Sequence, residues 1–227
     1  VDVDAMLAAT CERTKIVYLC SPNNPTGTYT STQELKRLIA RLPDNVLFLM
    51  DAAYAEFADA PDYSDGLSLF SPEGRVAVTR TFSKAYGLAG LRIGYAIAPN
   101  AVVDAVSRLR TPFNANSAAM AAATAAALDQ KFLLKNVSKV RATREAFSLG
   151  LRELGLTVIP SQANFVLINF ESEDDLAYDL DRALQSMGIL GRPAVAGAKN
   201  EYRISIGSDE EMRKTLNAIR EWLNDRR

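Results

Sequence analysis

The segment from Thr79 to Tyr95, TRTFSKAYGLAGLRIGY, holds the residues best suited to chemistry. Thr81, Ser83 and Lys84 follow a short apolar strand, and Arg92 follows a turn rich in glycine. A guanidinium offers phosphate oxygens a planar fork of donors, and neighbouring hydroxyls add to it. A lysine beside such a grip could form a Schiff base with the aldehyde of a phosphorylated cofactor. The segment therefore predicts lysine chemistry on a phosphorylated ligand.

Composition narrows the classes of protein that remain. With 227 residues, 48% of them hydrophobic, the chain has material for one sizeable domain or two small ones. A net charge of −1 argues against non-specific binding to nucleic acid. Cys11 and Cys20 lack the spacing of a zinc site or redox pair, so we expect two buried thiols. Because no membrane span or signal-peptide pattern is visible, we expect a cytoplasmic protein that binds no membrane.

Histidine is absent from the chain, and its absence removes several kinds of catalysis. Serine–histidine hydrolysis, histidine-liganded zinc and imidazole general bases cannot operate with these residues alone. Proton transfer must then use Lys, Asp, Glu, Tyr or Cys, which favours a catalytic lysine and no metal.

The first half of the sequence predicts a mostly parallel sheet flanked by helices. Four short apolar strands are expected, at Lys15–Cys20, Val46–Met50, Val76–Val78 and Ile93–Ile97. A turn at Ser21–Gly27, Asp51 and the Ser83–Lys84 pair each follow a strand. Ligands of such sheets gather beyond the carboxyl ends of the strands. These polar groups therefore predict a site at one edge of the sheet.

The second half predicts a small α+β domain behind a long connecting helix. We expect helices at Asp4–Glu12, Ser117–Leu128, Lys131–Leu154 and Asp174–Met187, and strands at Leu156–Ile159, Phe165–Asn169, near Ile189 and at Tyr202–Ile206. Ser208 and Glu211 form a capping box before a last helix. We divide the chain into 1–128, part of a large cofactor-binding domain, and 129–227, the connecting helix and small domain.

Four motifs in order resemble the fold-type I pyridoxal-phosphate aminotransferases of class I/II. They are SPNNPTG at 21–27, DAAYAEF at 51–57, RTFSKAYGLAGLRIGY at 80–95 and YRISIG at 202–207. Within that group the chain is most similar to the histidinol-phosphate aminotransferase branch, through the D-x-A-Y-x-E-F form and the segments at 110–116 and 189–193. The resemblance covers essentially the whole chain.

The resemblance implies a pyridoxal 5'-phosphate site and a role for each matching residue. Lys84 would hold the cofactor covalently and then shuttle a proton, and Asp51 would pair with the pyridinium nitrogen. The phenolate oxygen of the cofactor would accept hydrogen bonds from Asn24 and Tyr54. Its phosphate would be bound by Thr81, Ser83 and Arg92. On the substrate side, Arg203 would bind an oxyanion, and Arg192 is a second candidate.

Each residue taken alone also has a plainer explanation. A lysine or arginine is commonly a solvated or ion-paired surface residue, an aspartate often caps the segment after a strand, and asparagine forms turns. Tyr54 could be a half-buried aromatic residue. The motif set argues against these explanations jointly, but they stay open for Thr81 and Arg192.

Two features depart from the family pattern. Members carry a further N-terminal part that supplies a glycine-rich phosphate turn, an aromatic residue on the ring and a residue for the neighbouring subunit's site. If the 227 residues were the whole protein, we expect weak cofactor retention and little activity. Gly191 stands before Arg192 where a larger apolar residue is expected.

The resemblance implies transamination within histidine biosynthesis. L-Histidinol phosphate and 2-oxoglutarate would give imidazole-acetol phosphate and glutamate, in a homodimer with shared active sites. One alternative is an aromatic amino acid aminotransferase or a threonine-phosphate decarboxylase. Another is the aminotransferase-like sensor domain of a transcription regulator, which a helix-turn-helix upstream would favour.

Overall fold

The computed structural model describes residues 1–171, 175–194 and 199–226. The chain forms two compact units. The first comprises residues 1–23 and 29–134, and the second comprises residues 24–28 together with the chain from residue 135 onward. Each unit has its own sheet and hydrophobic core.

The first unit contains a four-stranded sheet in the order β1-β2-β3-β4. Its elements are α1 (Val3–Ala9), β1 (Ile16–Cys20), α2 (Thr32–Arg41), β2 (Leu47–Asp51), β3 (Val76–Thr81), β4 (Gly94–Ile97), α3 (Asn100–Leu109) and α4 (Ser117–Leu128). β1, β2 and β3 are parallel, and β4 is antiparallel to β3. The expected mostly parallel sheet with flanking helices is confirmed.

The parallel register brings three strand ends to one edge of this sheet. Asp51 pairs with Cys20 on one side and with Thr79 on the other. Because β1, β2 and β3 run in the same direction, the residues that follow them emerge at that edge. The strands are held there by a core in which α2 contributes Leu35 and Leu38, both fully buried.

The second unit contains an antiparallel sheet in the order β5-β6-β8-β7. Its elements are β5 (Thr157–Ile159), β6 (Phe165–Asn169), α6 (Leu176–Ser186), β7 (Arg192–Pro193), β8 (Glu201–Ser205) and α7 (Asp209–Asn224); α5 (Gln130–Glu153) crosses from the first unit into the second. Ser208 and Glu211 form the expected capping box of α7. The small C-terminal α+β domain is thus confirmed as a fold.

Several local expectations are wrong. The strand expected near Ile189 lies at Arg192–Pro193, because the Ile189 amide donates to the Leu184 carbonyl at 2.9 Å and so closes the end of α6. The first helix ends at Ala9, where extended Thr10 caps it, and not at Glu12. Cys11 is exposed and Cys20 half-buried.

α3 was not anticipated from the sequence. Asp174, the expected start of α6, lies outside the described residues. None of the described helices combines the length and apolar composition that a membrane crossing needs.

Candidate active site

Asp51, the last residue of β2, has both carboxylate oxygens held. The amide of Ala53 donates to Oδ1 at 3.1 Å, and the phenol of Tyr18 donates to Oδ2 at 2.7 Å. Asp51 is half-buried at the edge where the parallel strands end. An anionic group in a fixed orientation is what a protonated ring nitrogen requires as a partner.

Tyr54 and Lys84 lie side by side in the first unit. Tyr54 precedes a 3-10 turn at Ala55–Phe57 and is buried, with 5% of its surface exposed. The amine Nζ of half-buried Lys84 lies 5.5 Å from the centroid of the Tyr54 ring. A flat aromatic surface next to an amine restricts where that amine can react.

Thr81, Ser83 and Arg92 form a second cluster. The backbone amide of Ser83 donates to the Thr81 hydroxyl at 3.1 Å. The Ser83 hydroxyl takes no part in this hydrogen bond. Nη1 of Arg92 lies 3.5 Å from the Ser83 hydroxyl and 2.9 Å from the carbonyl of Ala89. A guanidinium and a hydroxyl side by side form a donor set for phosphate oxygens.

The loop that carries Lys84 is closed by backbone hydrogen bonds. The amide of Phe82 donates to Ile93 at 3.1 Å, and the Phe82 carbonyl accepts from Leu88 at 2.9 Å. The Phe82 ring packs against the rings of Tyr86 and Tyr95, with centroids 4.8 and 5.7 Å away. Backbone hydrogen bonds and aromatic packing therefore hold the segment from Ser83 to Arg92 in place.

Arg80 ties this loop to the segment that follows β2. Its guanidinium pairs with Glu56 at 3.0 Å and with Asp65 at 3.1 Å. The side chains of Arg80 and Glu56 are only 12% and 8% exposed. Burial opposes the charge of Arg80, but the carboxylates outweigh it and raise the pKa of the guanidinium. Glu56 and Arg80 each lie within one of the matched motifs, but they were not among the site residues expected from the sequence.

Asn24 lies in the second unit, in the turn that ends at Gly27. The peptide bond between Asn24 and Pro25 is cis, and Asn24 is exposed. Gly27 has a φ of +75°, and its carbonyl accepts the amide of Gln162 at 2.8 Å. A Cβ at residue 27 would lie 2.2 Å from the Ser161 hydroxyl, so only glycine fits here.

The second unit also places the two arginines that were expected to bind substrate directly opposite each other. Arg192 of β7 pairs in register with Arg203 of β8, so both side chains point to the same face of the sheet. The Arg203 guanidinium stacks on the Phe165 ring at 3.9 Å. Two arginines on one face of a sheet offer a donor set for an anionic group.

The structure accounts for the unexpected Gly191. A Cβ at this residue would lie 2.4 Å from the hydroxyl oxygen of Tyr202. That hydroxyl is fixed because it donates to Asp181 at 2.8 Å. The glycine therefore serves packing inside the second unit.

Tyr18 is a residue of the site that the sequence reasoning missed. The available signal was period-two alternation. In β1, Tyr18 and Cys20 share a face, and Cys20 is the strand neighbour of Asp51. The alternation could have indicated the face of the strand on which Tyr18 lies, but not the residue that it contacts.

The sequence profile described as "Aminotransferase class I and II" matches residues 1–219. The chain belongs to the class I and II aminotransferase family.

Individual relatives agree with the branch that the motifs suggested. The chain is 45% identical to the histidinol-phosphate aminotransferase of Rhodospirillum centenum over 98% of this chain and 62% of that protein. It is 42% identical to the enzyme of the same name from Geobacillus sp. over 99% of this chain and 61% of that protein. The chain thus spans about three fifths of the length of these relatives.

A solved structure matches the whole chain. It is histidinol-phosphate aminotransferase from Sinorhizobium meliloti in complex with pyridoxal-5'-phosphate, with a TM-score of 0.90 and 32% identity. The match covers 100% of this chain and 62% of that one.

Proposed function

We propose that the protein is a pyridoxal-phosphate-dependent aminotransferase that acts on L-histidinol phosphate and 2-oxoglutarate in histidine biosynthesis. The observation that carries the proposal is the edge of the first sheet. There an oriented carboxylate at Asp51, the Lys84 amine beside Tyr54, and the Ser83–Arg92 donor pair all follow parallel strands. The named relatives, which are histidinol-phosphate aminotransferases, support the choice of substrate.

The residues present fit pyridoxal 5'-phosphate. The group carries a phosphate, an aldehyde and a basic ring nitrogen, and the first unit offers a guanidinium–hydroxyl pair, an amine and a carboxylate, in turn. When bound, the cofactor supplies an aldehyde that condenses with amines and a ring that accepts an electron pair. Thr81, Ser83 and Arg92 would hold the phosphate, and Asp51 would hold the ring nitrogen.

The chain's own residues would then divide the remaining work. The Lys84 amine would bind the cofactor and, once released, carry a proton at Nζ. Tyr54 limits the space beside that amine and would donate to the ring oxygen, a role that the resemblance gives to Asn24 as well. Because Tyr54 is buried, its ring would also exclude water from the space beside the Lys84 amine.

The two opposed arginines support a substrate that carries an oxyanion. Histidinol phosphate presents a phosphate, and 2-oxoglutarate presents carboxylates. Arg203, with Arg192 opposite it, could bind either group in turn. We place the cofactor in the domain of residues 1–128 and the arginines in that of 129–227, and we propose a cytoplasmic homodimer.

The assignment of Lys84 is tested by absorbance after the cofactor is added. The protein is expressed from its complete reading frame. We expect the visible band of a lysine-bound cofactor in the wild type and in Lys36→Ala, a control at an exposed lysine of α2. Lys84→Ala should lack the band. The same band in Lys84→Ala would refute the role of this lysine.

The substrate is tested separately by turnover. With L-histidinol phosphate and 2-oxoglutarate, we expect formation of imidazole-acetol phosphate. Its absence together with good turnover of phenylalanine would reject the substrate and favour an aromatic amino acid aminotransferase.

A further inference from the structure

We propose that Tyr18 is a positioning residue for the cofactor, which acts through Asp51 by fixing the orientation of its carboxylate. The inference rests on the proposed function, because it takes Asp51 as the partner of the ring nitrogen. It adds a residue from β1, a strand to which none of the matched motifs assigns a role.

The geometry at Asp51 leaves little freedom for the carboxylate to rotate. Oδ1 accepts the Ala53 amide at 3.1 Å from one side, and Oδ2 accepts the Tyr18 phenol at 2.7 Å from the other. A carboxylate has about four lone-pair sites, so two donors still leave acceptor capacity for a ring N–H. The backbone amide is present whatever the side chains are. Tyr18 is therefore the side chain that decides the orientation.

The strand register explains why residue 18 can reach Asp51. In the parallel pair β1–β2, Cys20 lies beside Asp51 and Tyr18 beside Leu49. Side chains two residues apart on a strand share a face, so Tyr18 lies diagonally from Asp51 on that face. A tyrosine is long enough to span such a diagonal.

The phenol keeps its proton and so remains the donor. Partial loss of solvent around the phenol and the neighbouring Asp51 carboxylate both raise the pKa of Tyr18. Over the whole neutral range the O–H is thus available to Oδ2. Because the Tyr18 phenol holds Oδ2, the Asp51 carboxylate would present a fixed orientation to the ring nitrogen.

The chain offers a matched control at Tyr29. Its phenol also donates to a carboxylate, Asp62 Oδ1, at 2.6 Å, and its pKa is likewise raised by that hydrogen bond. Asp62 has no proposed role in cofactor binding. Tyr29→Phe therefore removes the same kind of hydrogen bond elsewhere in the first unit.

The test is a double-mutant cycle read as cofactor affinity. The protein from the complete reading frame is freed of cofactor and titrated with pyridoxal 5'-phosphate, with the visible band as signal. We expect Tyr18→Phe to raise the dissociation constant about tenfold and Tyr29→Phe to leave it within about twofold. In an Asp51→Asn background, Tyr18→Phe should change affinity by less than about twofold, since it acts through that carboxylate.

Two outcomes would overturn the inference. One is an unchanged dissociation constant in Tyr18→Phe, and the other is an equal loss in both backgrounds, which would mean a merely structural role. Tyr18 is 55% exposed, so loss of one hydroxyl should leave the fold intact, and thermal midpoints without cofactor check this. If the wild type bound no cofactor at all, the proposed function itself would fail, which is a distinct result.

Discussion

Arg92 shows how a single residue can be held in a costly conformation. It has φ 53° and ψ 53°, the left-handed region that residues with a Cβ seldom occupy. This conformation costs about 1 kcal/mol. It places Nη1 of Arg92 3.5 Å from the Ser83 hydroxyl. Strain of this kind persists where the surrounding structure and a function fix it.

At the residue scale we predict that Arg92→Asn weakens binding of pyridoxal 5'-phosphate about tenfold to a hundredfold, the range for a lost charge-assisted hydrogen bond. Asparagine tolerates the left-handed region, so the backbone should be preserved. Pyridoxal without its phosphate should bind as in the wild type. Titration of both ligands measures this.

The control is Arg108→Asn at an exposed residue of α3, which should bind both ligands normally. Equal losses for the two ligands in Arg92→Asn would contradict a phosphate contact.

At the scale of elements, the Arg80 ion pair fixes β3 against the segment after β2. Both side chains of the Arg80–Glu56 pair are nearly buried, and Nε of Arg80 is buried with no hydrogen-bond partner in the structure. Removal of one member of a buried pair leaves the other charge uncompensated in a medium of low polarity.

We therefore predict that Arg80→Met lowers the free energy of unfolding by about 3 kcal/mol, because the buried Glu56 carboxylate loses its ion pair with the guanidinium. Urea denaturation without cofactor measures the loss.

Arg37→Met is the matched control. Arg37 also pairs with two carboxylates, Asp4 and Glu34, but its side chain is 33% exposed. The loss of stability there should be much smaller than in Arg80→Met, because solvent screens an exposed ion pair. Similar losses in both variants would show that burial does not set the strength of the Arg80 pair.

Gly191 gives a prediction for β7 and its neighbours. Gly191→Ala should lower the free energy of unfolding by about 2 kcal/mol, since its Cβ would overlap the fixed Tyr202 hydroxyl. Gly90→Ala is the control, because a Cβ there meets nothing within 4 Å. Thermal unfolding of the two variants compares them, and an unaltered midpoint in Gly191→Ala would argue against the overlap.

At the scale of the whole molecule, the two units have separate sheets and cores. The proposed homodimer derives from the resemblance, in which neighbouring subunits share active sites. Sedimentation velocity on the protein from the complete reading frame should show a dimer at micromolar concentration. A fully active monomer would be the contrary result.

The sequence by itself determined the family and the mostly parallel sheet, and it supplied the lysine and the phosphate-binding residues of the proposed site. Lys84, Asp51 and Arg92 lie within contiguous motifs whose residue types already state their chemistry. Most helix and strand positions also follow from local patterns, as the match of Ser117–Leu128 shows.

Only the tertiary structure decided which distant side chains meet. Tyr18 is 33 positions from Asp51, and Glu56 is 24 from Arg80, so no local pattern relates them. The parallel register of β1 and β2 decides the contact between Tyr18 and Asp51. The antiparallel pairing of β7 with β8 decides that Arg192 lies opposite Arg203. The end of α6 is a further example. The Ile189 amide is hydrogen-bonded to the helix, so the strand begins at Arg192 and not near Ile189, and apolar periodicity does not show this.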